Sequence, residues 1–418
     1  MTSMPKETPN YTTAEDLRKK HQYAEAAGQF AVIWERNPNA YIGWRYAQCL
    51  RKIERVEEAE KVARIALEKY PDDAFTKKEL GWVLYDKEIK PAKEASDLGR
   101  AVHFAKEILA LNSDMFAVRL LVQAVMKLAK DRGKWDIVLE WACRVEATDL
   151  SNEPIMFDGK SGMSDRETWY VNKARGLFEL GRHDESRSVA MQGLTEFPED
   201  PFLARTAALA LAKNGDLKGG AEELSKLLKH KRLGWYVKAD LAELEYSIGN
   251  RVEAYRLMCE AISNSQEDEF KLGCFVTLGQ IALTLDKLDV AATHVALAKA
   301  VRKANNWSIP ANLIQLEKEV RAKYTAKDRA WPALPQETEQ LSRICHQYWK
   351  EGATDGLEFI RGSLSTIDPA KGYTFIQRDD GGEKVFVLMK DVPRRCAYEG
   401  ARIEFTLKNS FDKKKNRE

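Results

Sequence analysis

The residues best suited to chemistry lie near the end of the chain, in the stretch KGYTFIQRDDGGEKVFV from Lys371 to Val387. The stretch contains three aromatic side chains, Tyr373, Phe375 and Phe386. Tyr373 and Phe375 are two residues apart, and Phe386 stands between two valines. Rings of this kind stack on the bases of single-stranded nucleic acid, and cations beside them contact its phosphates. The cations in and beside the stretch are Lys371, Arg378, Lys384 and Lys390. The pattern predicts a stacking platform with a cationic border.

Such a platform must rest on strands, and in the surrounding sequence apolar residues recur at about every second position. FIRGSLSTI, YTFIQ, KVFVLM and ARIEFTL read as strands, and DDGG joins the second and third as a hairpin. Because residues two apart in a strand point to one face, Tyr373 and Phe375 share a face, as Phe386 and Leu388 do. Two alternatives stay open: aromatic residues at alternate strand positions are often core residues, and a small barrel can be a protein-docking module.

Residues 360–408 resemble the cold-shock domain, a small OB-fold barrel. KGYTFI corresponds to the first ribonucleoprotein motif of that family, and VFVLM corresponds to the second. By this resemblance, Lys371, Tyr373, Phe375 and Phe386 take the phosphate-facing and base-stacking roles.

The chain departs from the cold-shock pattern at several positions. The family's first strand usually carries a Trp-Phe pair where this chain has Thr366 and Ile367. Leu388 and Met389 replace the His and Phe of the second motif. About half of the stacking surface is therefore missing. The chain also stops where the family continues into a fifth strand, so the barrel is either incomplete or closed by another segment.

The longer, preceding part of the chain repeats itself with a period of 34 residues. The period is carried by the small residues Ala174, Ala208 and Ala242 and by the glycines Gly181, Gly215 and Gly249. Small residues at such spacing let two antiparallel helices pack closely, and a glycine between them ends the first helix at positive φ. The repeat therefore predicts a series of helical hairpins.

This 34-residue pattern of small residues and glycines resembles the tetratricopeptide repeat, whose helix–turn–helix units stack into a superhelix. The resemblance covers roughly residues 10–325. Its units begin near Glu7, Ala40, Ala74, Met115, Glu167, Pro201 and Trp235, with a more divergent unit near Leu272. DKEIKPAKEA lengthens one hairpin, SNEPIMFDGKSGMSD is expected to open a loop, and PANLIQLEKEVRAKY is expected to cap the last hairpin. The resemblance implies a solenoid that presents a long surface to a partner.

The first helix of each unit lines the surface on which such repeats hold protein partners. The residues predicted on that surface are Tyr41, Trp44, Gln48, Arg51, Arg175, Arg205 and Tyr246. For Tyr41 and Trp44 the alternative is that they pack between neighbouring helices. The Lys/Asn clamp with which some family members grip C-terminal carboxylates has no matching set here, so these helices do not define the partner's chemical type.

The composition changes beyond Tyr324, where TAKDRAWPALPQETEQ has two prolines and no helical period. We predict a tail at 1–10, repeats at 11–325, a linker at 326–336, a connecting helix at 337–352 and a cold-shock-like domain at 359–418. The predicted fold class is therefore mainly α. It consists of a tetratricopeptide-type α-solenoid followed by a small all-β OB-fold barrel.

Charge and composition limit the functions open to the chain. Its 66 Lys and Arg against 64 Asp and Glu give 418 residues a formal net charge of only +2, so no global field recruits DNA or membrane. Residues 359–418 hold thirteen of these cations and nine anions, a local excess of +4 that favours nucleic acid at this end. Neither a leader nor a long apolar run is present, so we expect a cytoplasmic protein.

Motifs for catalysis and metal binding are missing from the sequence. The six cysteines stand singly, without a CxxC pair, and are expected to be reduced. GKS at 159–161 lacks the upstream glycine of a phosphate-binding loop, because that position is Pro154. The histidines have no nucleophile or carboxylate at a motif spacing. We therefore expect no enzymatic activity, no metal and no cofactor.

These observations predict a non-catalytic adaptor. Its repeats would bind a protein partner, and its C-terminal barrel would contact RNA or single-stranded DNA. The alternative is a purely protein-binding scaffold in which the barrel is a docking or oligomerisation module.

Overall fold

The computed structural model describes residues 10–111, 115–157, 159–230, 233–263, 267–367 and 372–407. Two compact units make up the chain, Met1–Leu233 and Gly234–Glu418. Both are built mainly of helical hairpins, and the second also carries a small antiparallel sheet. The predicted architecture of repeated helical hairpins is confirmed. The predicted domain boundaries near 325 and 359 stay predictions.

In its described residues, the first unit is a run of helices joined by short turns, with one β-hairpin. The helices are α1 Tyr11–Lys19, α2 Tyr23–Arg36, α3 Ala40–Lys52, α4 Val56–Lys69, α5 Ala74–Leu84, α6 Lys90–Glu94, α7 Leu98–Leu111, α8 Met115–Asp131, α9 Trp135–Ala142, α10 Asp165–Glu179, α11 His183–Glu196, α12 Pro201–Lys213 and α13 Leu217–Leu227. A π-helix, Tyr85–Ile89, joins α5 to α6. The β-hairpin is formed by β1 Pro154–Phe157 and β2 Lys160–Ser164.

The second unit continues the hairpins and ends in a sheet. Its helices are α14 Tyr236–Ile248, α15 Arg251–Ile262, α16 Leu272–Thr284, α17 Leu288–Ala304, α18 Ala311–Ala326 and α19 Thr338–Gly352. Its strands are β3 Ile360–Leu364, β4 Tyr373–Arg378, β5 Val385–Leu388 and β6 Arg402–Phe405.

The predicted repeat register agrees with the observed helices. The first helices of the hairpins begin at Tyr11, Ala40, Ala74, Met115, Asp165, Pro201, Tyr236 and Leu272, within about four residues of the predicted starts. Side chains fix several of these ends: Asn39 accepts from the Ile42 N–H at 3.0 Å, and Asp200 accepts from the Leu203 N–H at 2.7 Å. The turns adopt positive φ at Gly181, Gly215 and Gly249.

The small residues of the repeat lie where two helices touch. Ala208 and Ala242 are completely buried. The Ser186 hydroxyl donates to the carbonyl of Ala174 at 2.8 Å, and a Cβ added at Gly43 would lie 2.6 Å from the Cβ of Ala66. Larger side chains at these positions would overlap the neighbouring helix, so the repeat is a packing requirement.

The first unit departs from a regular repeat in two places. DKEIKPAKEA is accommodated by the π-helix Tyr85–Ile89, which absorbs extra length without leaving the helix. SNEPIMFDGKSGMSD was expected to be a loop and instead contains the β1–β2 hairpin. Gly159, at φ +75°, lies between the two strands, where it permits the reversal that lets them pair.

Two helices close the hairpin series of the second unit. Helix α18 buries Leu313, Leu316 and Val320 and packs against α16 and α17, as expected of a capping helix. Helix α19 packs against α15 and α17 and carries the completely buried Trp349. The Trp349 indole stacks on Phe275 at 5.7 Å and donates to His294 Nε2 at 2.7 Å.

The C-terminal sheet has four antiparallel strands in the order β5-β4-β3-β6. Its register aligns Phe375 with Phe386, and Leu364 with Ile376. Leu364, Ile376, Val392 and Ala401 form a small buried core on one face. Within residues 360–367 and 372–407, β5 and β6 are both edge strands, so the described part is an open sheet and shows no closed barrel. The antiparallel sheet was predicted, and closure into an OB fold remains a prediction.

Candidate functional site

The three aromatic rings of the opening stretch form a cluster on the open face of the C-terminal sheet. Phe375 and Phe386 face each other across β4 and β5, with ring centroids 5.9 Å apart. Tyr373 lies 5.2 Å from Phe386 and 6.1 Å from Phe375. Phe375 is 40% exposed and Phe386 is 53% exposed. We call Tyr373, Phe375 and Phe386 the ring cluster.

The opposite face of the same two strands is packed. Thr374 and Ile376, which alternate with the rings, are 2% exposed, and the Thr374 hydroxyl donates to the carbonyls of Ser365 and Thr366. Val385 and Val387 pack against the sheet core. Strand alternation thus separates a core face from a ring face, and the ring cluster is not needed to fill the core.

The predicted cations lie differently around the ring cluster. Lys384 is exposed and immediately precedes β5, two residues before Phe386. Lys390 is exposed in the turn that follows β5. Neither lysine has an ion-pair partner within the described ranges. Lys371 lies outside the described residues.

Arg378 differs from the predicted border. It alternates with Gln377 and shares the face of Ile376, because its position on β4 is offset from Phe375 by three residues. Its guanidinium donates to Asp380 at 2.8 Å, and that pairing lowers the pKa of the Asp380 carboxyl. A contribution of Arg378 to binding stays a prediction, but the ring face is not the face on which it lies.

Sequence reasoning missed two arginines on the ring face, Arg361 of β3 and Arg402 of β6. Arg402 aligns with Ser363, which aligns with Gln377, and Gln377 is on the ring side of β4. Arg361 donates to Glu404 at 2.7 Å, and Arg402 donates to Asp379 at 2.9 Å. The alternation in FIRGS and ARIEF contained the signal, but the pairing of two strands about forty residues apart was needed to place them together.

The first-helix residues of the first unit form an aromatic and charged layer across α1, α3 and α5. Tyr41 is 54% exposed, and the Tyr11 hydroxyl donates to its oxygen at 2.6 Å. Trp44 stacks on Phe75 at 5.5 Å. The Arg45 guanidinium lies 3.9 Å from the Tyr41 ring centre and 4.0 Å from that of Trp44. Trp44 therefore packs between helices, while Tyr41 leaves much of its ring accessible.

Gln48 and Arg51 are also engaged within this layer. Gln48 accepts from Arg18 at 2.6 Å. Arg51 donates to Glu79 at 2.7 Å and to Asp86 at 3.0 Å. Burial raises the pKa of the Glu79 carboxyl, although Arg51 opposes that shift. These side chains link successive hairpins, and their role toward a partner stays a prediction.

The three other predicted surface residues are spread along the helices. Arg175 is exposed and pairs with Glu179 at 3.1 Å. Arg205 on α12 is half-buried. Tyr246 is half-buried on α14, in the second unit. The structure therefore brings Tyr41, Trp44, Gln48 and Arg51 together, whereas Arg175 and Arg205 lie on other helices of the first unit.

The described residues offer little for metal binding or nucleophilic chemistry. Within them, no group of three or more His, Cys, Asp or Glu side chains could hold a metal ion. Burial raises the pKa of the Cys49 and Cys259 thiols to about 12, which leaves both as thiols near neutral pH. Burial also lowers the pKa of His294 to about 4. In the same part of the chain, no helix has the length and apolar character needed to cross a bilayer.

One protein family matches part of the chain. Residues 201–334, about a third of the sequence, match the model of a family described as "Domain of unknown function (DUF7017)". A search of curated proteins returns no significant match.

Solved structures with repeated helical hairpins resemble the chain at low identity. A chain of the APC/C hetero-tetramer Cut9-Hcn1 is 12% identical with a TM-score of 0.42, and the match covers 71% of this chain and 52% of that one. This chain thus spans about half the length of that relative. The human IFIT1 dimer with m7Gppp-AAAA is 15% identical over 81% of this chain and 80% of that one, with a TM-score of 0.41.

A third structure is a tetratricopeptide repeat protein from Parabacteroides merdae. It is 13% identical over 65% of this chain and 96% of that one, with a TM-score of 0.31. Tetratricopeptide proteins are therefore among the structures to which this chain is similar.

Proposed function

We propose that this chain is a non-catalytic adaptor whose C-terminal sheet contacts RNA or single-stranded DNA and whose repeats bind a protein partner. The observation that carries the nucleic-acid part is the ring cluster. Three adjacent rings are presented by a sheet whose core lies on the other face. Exposing aromatic surface forgoes the free energy of its burial, so such a cluster is best explained by a ligand that covers it.

The chemistry of the ring face suits a single strand. Bases stack on aromatic rings with little regard to sequence, whereas bases within a duplex are already stacked on each other. Lys384, just before β5, and Lys390, in the turn after it, supply charge for phosphates. Arg361 and Arg402 add two guanidinium groups, each held by a carboxylate. A phosphate could replace either carboxylate.

A protein-docking sheet is the second candidate, and Leu388 favours it. This side chain aligns with Tyr373 on the ring face and is 37% exposed. It adds aliphatic surface that a base does not require, so a protein partner would gain more from it.

The protein-binding part of the proposal rests on the repeated hairpins and their first-helix layer. Tyr41 is 54% exposed on α3 and Phe75 is 63% exposed on α5, and these two helices pack against each other. The tetratricopeptide resemblance implies a protein partner for this kind of surface. Exposed aromatic residues on packed helices provide anchors that lose little conformational freedom when they are covered.

Salt titration of the intact chain with a fluorescent single-stranded oligonucleotide tests the proposal. On a plot of log affinity against log salt, we expect a slope of about −0.7 for each phosphate contacted. Lys384→Gln should make that slope shallower by about 0.7, because it removes one phosphate contact. Lys318→Gln, which neutralises an exposed lysine on α18, is the matched control. Affinity that is absent, or equal at low and physiological salt, would favour protein docking instead.

A further inference from the structure

A groove of about 960 Å³ opens in the second unit between α17, α18 and residues 331–336. It lies on the second helix of the last hairpin, not on a first helix. Its apolar lining includes Trp307, Trp331, Leu334 and two prolines. The segment predicted to be a linker is thus one wall of the groove.

That wall has a free backbone. From Ala330 to Gln336, no backbone N–H or carbonyl has a hydrogen-bond partner among the described residues. Pro332 and Pro335 lack an N–H group, which leaves donors at Ala330, Trp331, Ala333, Leu334 and Gln336. Residues 330–335 belong to no helix or strand, and a segment with unpaired backbone polar groups can pair with a second chain as an edge strand does.

Trp307 supplies an exposed aromatic anchor at the groove, on a turn whose backbone is hydrogen-bonded. It is 47% exposed, although it is a large apolar side chain. The backbone N–H of Trp307 donates to the Arg302 carbonyl at 2.9 Å, and the Arg302 guanidinium donates to the Ser308 carbonyl at 2.8 Å. Asn306 completes the turn at φ +56°. Because these two hydrogen bonds hold the turn, little backbone ordering is left for a ligand to impose there.

Positive charge predominates in the groove. Lys299, Lys303 and Arg321 line it, against the single carboxylate of Glu317. Glu317 accepts from Lys299 at 2.8 Å and from Arg321 at 2.9 Å. Lys303 is exposed and has no ion-pair partner in the described part of the chain. The charged side chains that line the groove therefore sum to a net charge of about +2, which favours an acidic ligand.

We propose that this groove binds an extended peptide segment of a partner protein, one that carries both acidic and apolar side chains. The apolar side chains would cover Trp307 and the proline-rich wall, and the acidic ones would approach Lys303. Main-chain pairing with residues 330–336 distinguishes a peptide from a nucleic acid, which offers no matching row of amides. The site is separate from the ring cluster and from the first-helix layer, and it does not depend on either.

A library of random twelve-residue peptides displayed on phage, selected against the intact chain, provides the probe. We expect enrichment of sequences that combine Asp or Glu with apolar residues. A synthetic copy of an enriched peptide, measured by fluorescence anisotropy, should bind Lys303→Glu and Trp307→Ala at least about tenfold more weakly than the natural chain. Lys318→Glu makes the same charge change on α18 outside the groove and should leave affinity unchanged.

Backbone pairing has its own test. The same peptide with methylated amide nitrogens at alternate residues keeps its side chains but loses donors, and it should bind at least about tenfold more weakly in one of the two registers. Binding of the oligonucleotide to Trp307→Ala should remain unchanged, which separates this proposal from that of the ring cluster. The proposal would be overturned if the selected peptides were not enriched in Asp or Glu. It would also be overturned if an enriched peptide bound Lys303→Glu and Trp307→Ala as tightly as it binds the natural chain. Competition by the oligonucleotide for the groove would assign it to nucleic acid instead.

Discussion

Aromatic residues do opposite things in the helical hairpins and in the C-terminal sheet. Trp349 is completely buried, stacks on Phe275 and donates to His294. Phe386 is 53% exposed, although it also touches two rings. A helix in a stack has neighbours on several sides, whereas the described sheet is covered on one face only. Ring contacts alone therefore do not show whether an aromatic residue is structural. An aromatic residue in the sheet is structural when it lies on the face that packs against the core.

Truncation of Trp349 should give the largest effect on stability. Trp349→Ala removes the stack on Phe275 and leaves the His294 nitrogen without its donor. We expect a loss of about 3–5 kcal/mol in the free energy of unfolding of the second unit. Urea denaturation followed by circular dichroism measures this loss. A Trp349→Ala protein as stable as the natural one would mean that α19 does not anchor the hairpins.

Low pH should weaken the hydrogen bond between Trp349 and His294. His294 is neutral in the folded chain, with a pKa of about 4, whereas an unfolded histidine titrates near 6.5. Between these values the unfolded chain binds a proton that the folded chain does not, so stability falls as pH falls from 6.5 to 4. The expected loss is about 3 kcal/mol.

Urea midpoints at pH 7 and pH 5 measure the acid effect. His294→Gln keeps a side-chain acceptor near Trp349 but cannot titrate, so the His294 part of the difference should vanish in that variant. If the natural chain and His294→Gln lose equal stability between the two pH values, the titrating group lies elsewhere.

Overpacking a helix crossing should have an intermediate effect. Ala208 is completely buried, and a Cβ at Gly220 would already lie 2.8 Å from the Ala208 carbonyl oxygen. Ala208→Leu should therefore cost about 1–3 kcal/mol. Lys213→Leu adds a leucine at an exposed position of the same helix and serves as control. Thermal melts that coincide for Ala208→Leu and the natural chain would refute the assigned repeat register.

Local packing rules explain why the hairpins were predictable. Ala174, Ser186 and Gly193 recur because neighbouring helices pack tightly there, which leaves no room for a larger residue. Gly181 recurs because the turn requires positive φ. Both constraints act within one hairpin, so a single sequence displays them.

The sheet was predictable only in part. Alternation placed Phe375 and Phe386 opposite Ile376, because a period of two is a local property. It did not place Arg361 and Arg402 on the ring face, since their position follows from pairing between distant strands. The groove beside Trp307 was missed for the same reason: residues 331–336 lie far along the chain from Trp307, and only the fold places them around one groove with α17 and α18.

The most direct test of the central claim compares Phe386→Ala with Ile376→Ala, which alter adjacent strands on opposite faces of one sheet. Each variant is measured twice, by urea denaturation and by titration with a single-stranded oligonucleotide. Phe386→Ala should weaken binding by about 1–3 kcal/mol while stability stays nearly unchanged. Ile376→Ala should cost about 2–5 kcal/mol of stability, because Ile376 is buried in the sheet core. A Phe386→Ala protein that unfolds early, or that binds the oligonucleotide as tightly as the natural chain, would contradict the assignment of the ring cluster to nucleic acid.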